Sequence, residues 1–240
     1  MAVYHTAMKL SRILSNQNGV SRRRANALIA SGAVSVDGIV CRSPASEVSE
    51  FQRVTHGDHV AQHGGAAHYL MLNKPAGILS ATSDKIHQTV LDLVDTEQFA
   101  GLHVAGRLDR ASTGLIILTN DGRWSRALTE PSERKPKVYT VSTASRISAD
   151  TAVRFAEGIW FEYEQLLTSP ASLELLDEHQ ARVTIYEGRY HQIKRMFHAV
   201  GNRVTALHRE RMGNITLDPS LPPGSYRPLT EGEIANQTAR

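Results

Sequence analysis

The 240-residue sequence predicts an α+β protein with two domains. Its length suits a small domain followed by a medium-sized one. Predicted strands and helices do not alternate strictly, which favours a mixed, mainly antiparallel sheet flanked by helices over a doubly wound sheet. The small, flexible segment 63–67, HGGAA, is the best candidate for a linker. We therefore predict an N-terminal domain over residues 8–62, a linker over residues 63–68 and a larger domain over residues 69–240.

The N-terminal domain is predicted to contain two helices followed by a β-hairpin. Ser21 is a suitable N-cap for the second helix, and Gly32 is expected to end it. Asp37-Gly38 is a dipeptide typical of a tight hairpin turn. The remaining pattern consists of a helical face formed by Leu10, Ile13 and Leu14, a turn at Asn18-Gly19, a second helical face formed by Ala25, Leu28 and Ile29, and strands at Ala33–Val36 and Ile39–Val40.

The larger domain shows longer apolar runs with mixed periodicity. Predicted strands are Tyr69–Leu72, Leu115–Leu118, Val138–Thr143 and Arg182–Tyr186, and predicted helices are Gln88–Phe99, Asp150–Glu157 and His191–Val200, the last closed by Gly201. We expect these elements to form the sheet and its flanking helices.

Positive charge is concentrated in two zones. Residues 8–32 carry five basic residues and no acid, and residues 187–211 carry six against two acids, whereas residues 146–178 carry seven acids and two bases. The arginines at 22, 23 and 24 fall in the first turn of a predicted helix, where the helix dipole disfavours cations. An external polyanion explains this placement, although solvated charged faces remain the alternative.

Several classes of protein are excluded or disfavoured by the composition. No apolar run reaches the roughly 18 residues that span a bilayer, and the N-terminus lacks a signal-peptide pattern. The single cysteine, Cys41, forbids an internal disulfide and a cysteine-rich zinc module, so we expect a cytoplasmic protein. Nucleotide-binding glycine loops and hydrolase motifs are missing. His56, His59 and His63 have a metal-like spacing, but no acid is spaced to orient them, so we predict a surface cluster and no metal or cofactor.

The segment 106–115, GRLDRASTGL, has the most informative pattern for function. A loop with glycines at both ends leads into a buried strand and presents Asp109 between Arg107 and Arg110. Asp109 is either a turn residue that accepts backbone hydrogen bonds or a functional carboxylate. Because neighbouring cations favour the ionised form, such a carboxylate would be a nucleophile placed beside a polyanion.

Two further segments support a site for nucleic acid. Lys137 and Tyr139 lie on the same face of a predicted strand, where the tyrosine is either a core residue or a stacking surface for an unpaired base. The segment 187–196, EGRYHQIKRM, turns from a strand into a helix. Lys194 and Arg195 point about 100° apart on that helix, so at most one of them faces a given pocket. An amphipathic helix with a solvated basic face is the alternative.

The segments GRLDRASTGL, KVY and EGRYHQIKRM, in this order, resemble the three signatures of pseudouridine synthases of the RsuA/RluB/RluE/RluF family. The segment KLSRIL followed by GVSRRRANALIASGAVSVDG is similar to the S4-type RNA-binding domain that precedes the catalytic domain in this family. The resemblance covers residues 8 to about 235. The segments EGRYHQIKRMFHAVGN, LHRERMGNITLD and PGSYRPLTEGEI look most like the members that modify one uridine in small-subunit (16S) ribosomal RNA.

The resemblance implies roles for individual residues. Asp109 is implied to be the nucleophile, Tyr139 to pack on the target base, and Lys194 to pair with Asp109, with Arg195 as the alternative partner. The other residues implied or expected to contact RNA are Arg107, Arg110, Lys137, Ile193, Arg22, Arg23 and Arg24. The sequence departs from the family pattern at Arg110-Ala111, Ser112 and Ser11, and residues 1–7 have no counterpart.

The implied function is isomerisation of a flipped-out uridine to pseudouridine in 16S ribosomal RNA, without a cofactor. The implied partner is ribosomal RNA, within a small-subunit assembly intermediate, and the lack of an unused apolar stripe suggests a monomer. The alternatives are a family member that modifies 23S ribosomal RNA and a non-catalytic RNA-binding protein of ribosome assembly. Either attack at C1′ or removal of the 2′ proton is compatible with the sequence.

Overall fold

The computed structural model describes residues 7–235. The tertiary contacts divide the chain into two units, with the boundary between Ala67 and His68; Asp121–Arg123 group with the first unit. This boundary falls at the end of the glycine-containing segment that the sequence marks as a linker. The domain limits 8–62 and 69–240 stay a prediction, and most of the N-terminal extension, residues 1–6, lies outside the described residues.

The first unit contains two helices and six short strands. Ser21 caps the second helix, because its hydroxyl accepts a hydrogen bond from Arg24 N at 3.2 Å. Gly32 ends that helix in the left-handed conformation, φ 83°, as predicted. The elements are β1 (Met8–Lys9), α1 (Leu10–Ser15), α2 (Arg22–Ser31), β2 (Val34–Val36), β3 (Ile39–Val40), β4 (Glu47–Val48), β5 (Val54–His56) and β6 (His59–Gln62).

Antiparallel pairing joins these strands into two small sheets, β3-β2-β5-β6 and β1-β4. A buried apolar cluster holds the helices on the strands; it includes Leu10, Leu14, Ile29, Val34 and Val54. The predicted helix–helix–hairpin order of this unit is confirmed.

The second unit is built on one nine-stranded sheet. Its main path runs β13-β14-β10-β15-β9-β7-β17, with β8 paired to β9 and β16 paired to β15. The strands are β7 (Tyr69–Lys74), β8 (His103–Ala105), β9 (Thr113–Thr119), β10 (Lys137–Thr143), β13 (Ser172–Leu175), β14 (Gln180–Ile185), β15 (Val204–Met212), β16 (Ile215–Thr216) and β17 (Tyr226–Pro228), beside a separate hairpin of β11 (Trp160–Phe161) and β12 (Leu166–Leu167). Among the pairings between these strands in residues 7–235, β9–β15 is the parallel one. The predicted mixed, mainly antiparallel sheet is therefore confirmed.

Helices and apolar clusters cover both faces of this sheet. Leu70 and Leu72 belong to one cluster and Met71 belongs to the other, which is the alternation expected of a strand buried on both sides. The helices are α3 (Gly122–Thr129), α4 (Thr151–Glu157), α5 (Gln192–Ala199) and α6 (Glu231–Ala235), with 3₁₀ turns at Leu91–Leu93 and Pro131–Glu133. No helix in the described range 7–235 is both long and apolar enough to cross a membrane.

The predicted helix over Gln88–Phe99 is wrong. This segment contains only the 3₁₀ turn Leu91–Leu93. The Asp92 carboxylate accepts hydrogen bonds from the Thr89 backbone and hydroxyl, and the Asp95 carboxylate accepts from the N–H groups of Glu97 and Gln98. Aspartate side chains that capture nearby backbone groups compete with helix formation. The apolar residues Val90 and Phe99 are nevertheless buried, which explains the helix-like pattern.

Candidate active site

Asp109 lies in the loop between β8 and β9, and its neighbours fix the loop from several sides. The Ser80 hydroxyl accepts a hydrogen bond from Leu108 N at 3.0 Å and donates one to Leu108 O at 2.7 Å. The Asp109 carbonyl accepts a turn hydrogen bond from Ser112 N at 3.0 Å. The backbone of Asp109 thus forms a turn, while its carboxylate lines a pocket. The turn expected from the sequence is formed by the Asp109 backbone, and a functional role of the carboxylate stays a prediction.

Two buried cations hold the backbone of this loop. Lys74 is 0% exposed, and its ammonium donates to the carbonyl oxygens of Pro75, Arg110 and Ser112 at 2.8–3.1 Å. Arg209 is 1% exposed, and its guanidinium donates to the carbonyl oxygens at 106 (2.6 Å) and 115 (2.8 Å). Burial lowers the pKa of Lys74 to about 8, against the opposing attraction of Asp109. Buried cations that satisfy several carbonyl groups make the loop a rigid support.

Gly114 permits a close approach between β9 and β15. Its φ of 100° lies in a region that favours glycine, and a Cβ atom there would stand 2.4 Å from the carbonyl oxygen of Arg209. Gly114 and Arg209 are register partners in the parallel pair. The second glycine of the GRLDRASTGL segment therefore brings the two strands together directly behind the Asp109 loop.

Two side chains from the segment 187–196, those of His191 and Lys194, contact the Asp109 carboxylate. Lys194 Nζ lies 2.7 Å from Asp109 Oδ2, and His191 Nε2 lies 3.4 Å from Asp109 Oδ1. The Asp109 side chain is 26% exposed, and it lines the pocket. The Lys194 ammonium donates a charge-assisted hydrogen bond to this carboxylate, which fixes its orientation.

Arg195 points away from Asp109, so the alternative pairing with Asp109 is not formed. Its guanidinium binds both oxygens of Glu164 and lies 3.7 Å from the centre of the Phe161 ring. The pKa of the Glu164 carboxyl is lowered, and the hydrogen bond from Arg195 is the largest cause. Adjacent helical positions diverge as predicted, and Lys194 is the one that faces the pocket.

β10 contributes Lys137 and Tyr139 to the same pocket, as the alternation along a strand predicts. Tyr139 is only 6% exposed, and its hydroxyl lies 3.5 Å from Arg209 Nη1. Burial, followed by the neighbouring Arg209, lowers the pKa of Lys137, while Glu187 opposes this shift. Tyr139 is at once a core residue and a wall of the pocket.

The pocket has a volume of about 330 Å³. Among the other predicted residues, Arg107 is exposed at its edge and Ile193 is buried in its wall. Arg110 is exposed, and its Nε donates to Gly77 O at 2.9 Å. Arg22, Arg23 and Arg24 are exposed in the first turn of α2, in the first unit. The structure thus brings Asp109, Tyr139, Lys137 and Lys194 to one pocket, and it does not bring Arg195 there.

The predicted histidine cluster lies in the first unit. His56 and His59 are register partners in the β5–β6 hairpin. Within residues 7–235, no three His, Cys, Asp or Glu side chains are arranged to hold a metal ion.

Several residues that shape the site are not predicted by the sequence patterns. Lys74 and Arg209 do not belong to a recognisable motif. Lys74 ends an apolar strand and Arg209 lies within a strand, and a basic residue in such a position is an unusual pattern that could have indicated both residues. Glu187 and Gln192 were also missed. Glu187 accepts hydrogen bonds from Ser169 N and the Gln192 amide and pairs with Arg189, which fixes the turn before α5.

Comparisons with known proteins agree with this geometry. Residues 68–199 match the family model described as RNA pseudouridylate synthase, and residues 8–54 match the S4 domain. A solved structure titled as that of a pseudouridylate synthase superposes with a TM-score of 0.70 at 38% identity, over 97% of this chain and all of that one.

Curated relatives match nearly the whole chain. The protein named ribosomal small subunit pseudouridine synthase A from Pseudomonas aeruginosa is 50% identical, over 95% of this chain and 100% of its own length. Proteins of the same name from Escherichia coli and Vibrio cholerae are 47% and 44% identical, each over 95% of this chain and 99% of its own. The family resemblance of the sequence is confirmed. With an S4 domain ahead of its synthase domain, the chain belongs to the RNA pseudouridylate synthase family.

Proposed function

We propose that this enzyme converts one uridine of small-subunit (16S) ribosomal RNA to pseudouridine, with Asp109 as the nucleophile. The observation that carries this proposal is the contact of 2.7 Å between Lys194 Nζ and Asp109 Oδ2, beside the ring of Tyr139 in a single pocket. A charged carboxylate next to an aromatic wall suits a reaction on an uncharged base attached to a sugar.

The proposed reaction breaks the bond between N1 of uracil and C1′, turns the base and joins C5 to C1′. The proton on C5 is released and N1 gains one, so the atoms balance without water, an electron donor or an oxidant. Asp109 acts either by adding to C1′ or by removing the 2′ proton, and both routes use the same ionised carboxylate. Lys194 holds that carboxylate in place through its charge-assisted hydrogen bond.

The target uridine must leave its base stack to reach Asp109, at a cost of a few kcal/mol. Stacking on Tyr139 offsets this cost by about 1–3 kcal/mol. Arg107 at the pocket edge and Lys137 in its wall supply positive charge for the flanking phosphates. Ile193 packs beside them as an apolar wall. Because Arg110 and Arg195 hold protein oxygens, we assign them a weaker part in RNA contact.

We assign affinity for the RNA to the S4 domain, which we place at residues 8–62, before a linker over 63–68 and a catalytic domain over 69–240. The exposed residues Arg22, Arg23 and Arg24 surround a helix start whose N–H groups also favour phosphate. The names of the curated relatives support the small ribosomal subunit as the source of the RNA. We further propose that the enzyme acts as a monomer in the cytoplasm on an assembly intermediate, with Cys41 as a free thiol.

A strain that lacks this gene, complemented with the wild-type gene or a variant, tests both the role of Asp109 and the identity of the RNA substrate. We expect one pseudouridine to disappear from small-subunit RNA, to return with the wild-type gene, and to stay absent with Asp109→Asn. Asp150→Asn is the matched control, because Asp150 is exposed and makes no capping hydrogen bond. Pseudouridine mapping in both ribosomal RNAs is the measurement, together with RNA binding by purified Asp109→Asn, which should be retained.

Each other outcome contradicts a part of the proposal. Loss of pseudouridine from large-subunit RNA instead would identify the other substrate class. Restoration by Asp109→Asn would remove Asp109 from its role. An unchanged set of pseudouridines in the deletion strain would favour a non-catalytic RNA-binding protein.

A further inference from the structure

Two stacked aromatic rings lie next to each other in the turn before α5, and one of them lines the pocket. The ring of Tyr190 lies on the ring of His191, with centroids 3.9 Å apart and planes 18° from parallel. His191 lines the pocket and approaches Asp109, whereas Tyr190 is 75% exposed. The pair therefore extends an aromatic surface from the carboxylate outward, and it differs from Tyr139, which is buried in the pocket wall.

The backbone holds this pair in place. His191 precedes α5 in the left-handed conformation, with φ 49° and ψ 32°. The turn is anchored by the Gln192 side chain, whose oxygen accepts from Arg189 N at 3.0 Å and whose nitrogen donates to buried Glu187 at 2.8 Å. A non-glycine residue in this conformation needs such support from its surroundings. The orientation of the two rings is thus built into the strand-to-helix turn.

We propose that Tyr190, pre-oriented by His191, stacks on the base of a nucleotide adjacent to the target uridine. This inference rests on the proposed function. When one base leaves the helix, its neighbour loses a stacking partner, and a flat ring beside the pocket can replace it. A ring already held by a second ring loses little freedom on binding. Tyr190 is accordingly a substrate-binding residue, and it should bind normal RNA better than RNA that lacks the base beside the target uridine.

Short RNAs with an abasic site on the 5′ or 3′ side of the target uridine test this contact. With normal RNA, we expect Tyr190→Ala to raise KM about 5- to 100-fold and to leave kcat nearly unchanged. Tyr190→Phe should retain the wild-type KM, because stacking does not need the hydroxyl. Tyr163→Ala is the matched control: Tyr163 is 94% exposed in the β11–β12 hairpin and does not line the pocket.

A double-mutant cycle makes the test specific. One of the two abasic RNAs should raise KM for the wild type, and this increase should be absent or much smaller with Tyr190→Ala. An unchanged KM for Tyr190→Ala, or equal abasic effects in both proteins at both positions, would overturn the proposal. Failure of the proposed function gives a different result, because the deletion strain would then keep an unchanged set of pseudouridines in both ribosomal RNAs.

Discussion

The two units use positive charge in opposite ways. In the second unit, Lys74 and Arg209 are among the largest fully buried side chains, and both donate to backbone carbonyl groups around the Asp109 loop. In the first unit, Arg22, Arg23 and Arg24 are exposed on the first turn of α2, with no acidic residue in that turn. The first pair acts on the protein's own backbone, whereas the arginines of α2 face the solvent.

This difference separates turnover from affinity. A buried cation loses its hydration, so it remains only where several acceptors replace the water. The hydrogen bonds that such a cation makes are already formed in the folded protein, where they set the position of Asp109. An exposed cation keeps its hydration and counterions until RNA displaces them, so it contributes to binding and depends on salt. Substitution of the buried cations should therefore change kcat, whereas substitution of the exposed arginines should change RNA affinity and its salt dependence.

Among changes to these two groups of basic residues, the largest effect on turnover is expected for Arg209→Met. This change leaves the carbonyl oxygens of Gly106 and Leu115 buried without their donor, so unfolding free energy should fall by about 2–5 kcal/mol. The loosened loop displaces Asp109, and kcat should fall about 100-fold or more. Arg211→Met is the control on the same strand, because Arg211 is exposed. Unaltered kcat in a folded Arg209→Met protein would contradict the positioning role.

A smaller effect is expected when Lys74 loses its proton. Because burial lowers the pKa of Lys74 to about 8, the wild-type kcat should fall about tenfold between pH 7 and pH 9. A neutral Lys74 has one N–H donor fewer for its three carbonyl partners, so it holds the Asp109 loop less firmly. A kcat that is constant from pH 7 to pH 9 would contradict this assignment.

The stability of the protein should respond to Lys74 with the opposite sign. Between pH 8 and the usual lysine pKa of 10.5, the unfolded chain binds more protons at Lys74 than the folded chain does. The contribution of Lys74 to the unfolding free energy therefore rises with pH in this window. Denaturant unfolding at pH 7 and pH 9.5 should show this rise in the wild type and a smaller one in Lys74→Met.

Local signals in the sequence were sufficient for much of the fold. The limits of α2 follow from the cap at Ser21 and the left-handed Gly32, which are properties of neighbouring residues. The segment Gln88–Phe99 has buried apolar residues at helical spacing but no helix, because Asp92 and Asp95 bind nearby backbone groups. Periodicity reports which residues are buried, and it does not report what the side chains between them bind.

The site was predictable to a lesser degree. The pattern around Asp109 indicated a functional carboxylate, and the family resemblance was needed to choose Lys194 over Arg195. Lys74 and Arg209 were missed because their partners are distant in the chain: Arg209 binds Gly106 across 103 positions. The pairing of β9 with β15 brings Arg209 to the loop and the pairing of β9 with β7 brings Lys74 there, and no local pattern encodes these pairings.

The smallest effect on kcat is expected for the combined change of Arg22, Arg23 and Arg24 to alanine. These side chains are exposed in the first unit, whereas the residues that hold the Asp109 loop belong to the second unit. RNA affinity should fall, and the plot of log affinity against log salt should become shallower by about 2–3 units if all three contact phosphates. At saturating RNA, kcat should equal that of the wild type.

The matched control for this change removes positive charge from the acid-rich stretch instead. Arg146→Ala combined with Arg154→Ala lowers the net charge but should leave the salt slope almost unchanged, because released counterions depend on phosphate contacts and not on total charge. Equal slopes for the α2 variant and the wild type would show that α2 does not bind the RNA backbone. A fall in kcat at saturating RNA would show that α2 also positions the substrate, and the separation between affinity and turnover would then fail.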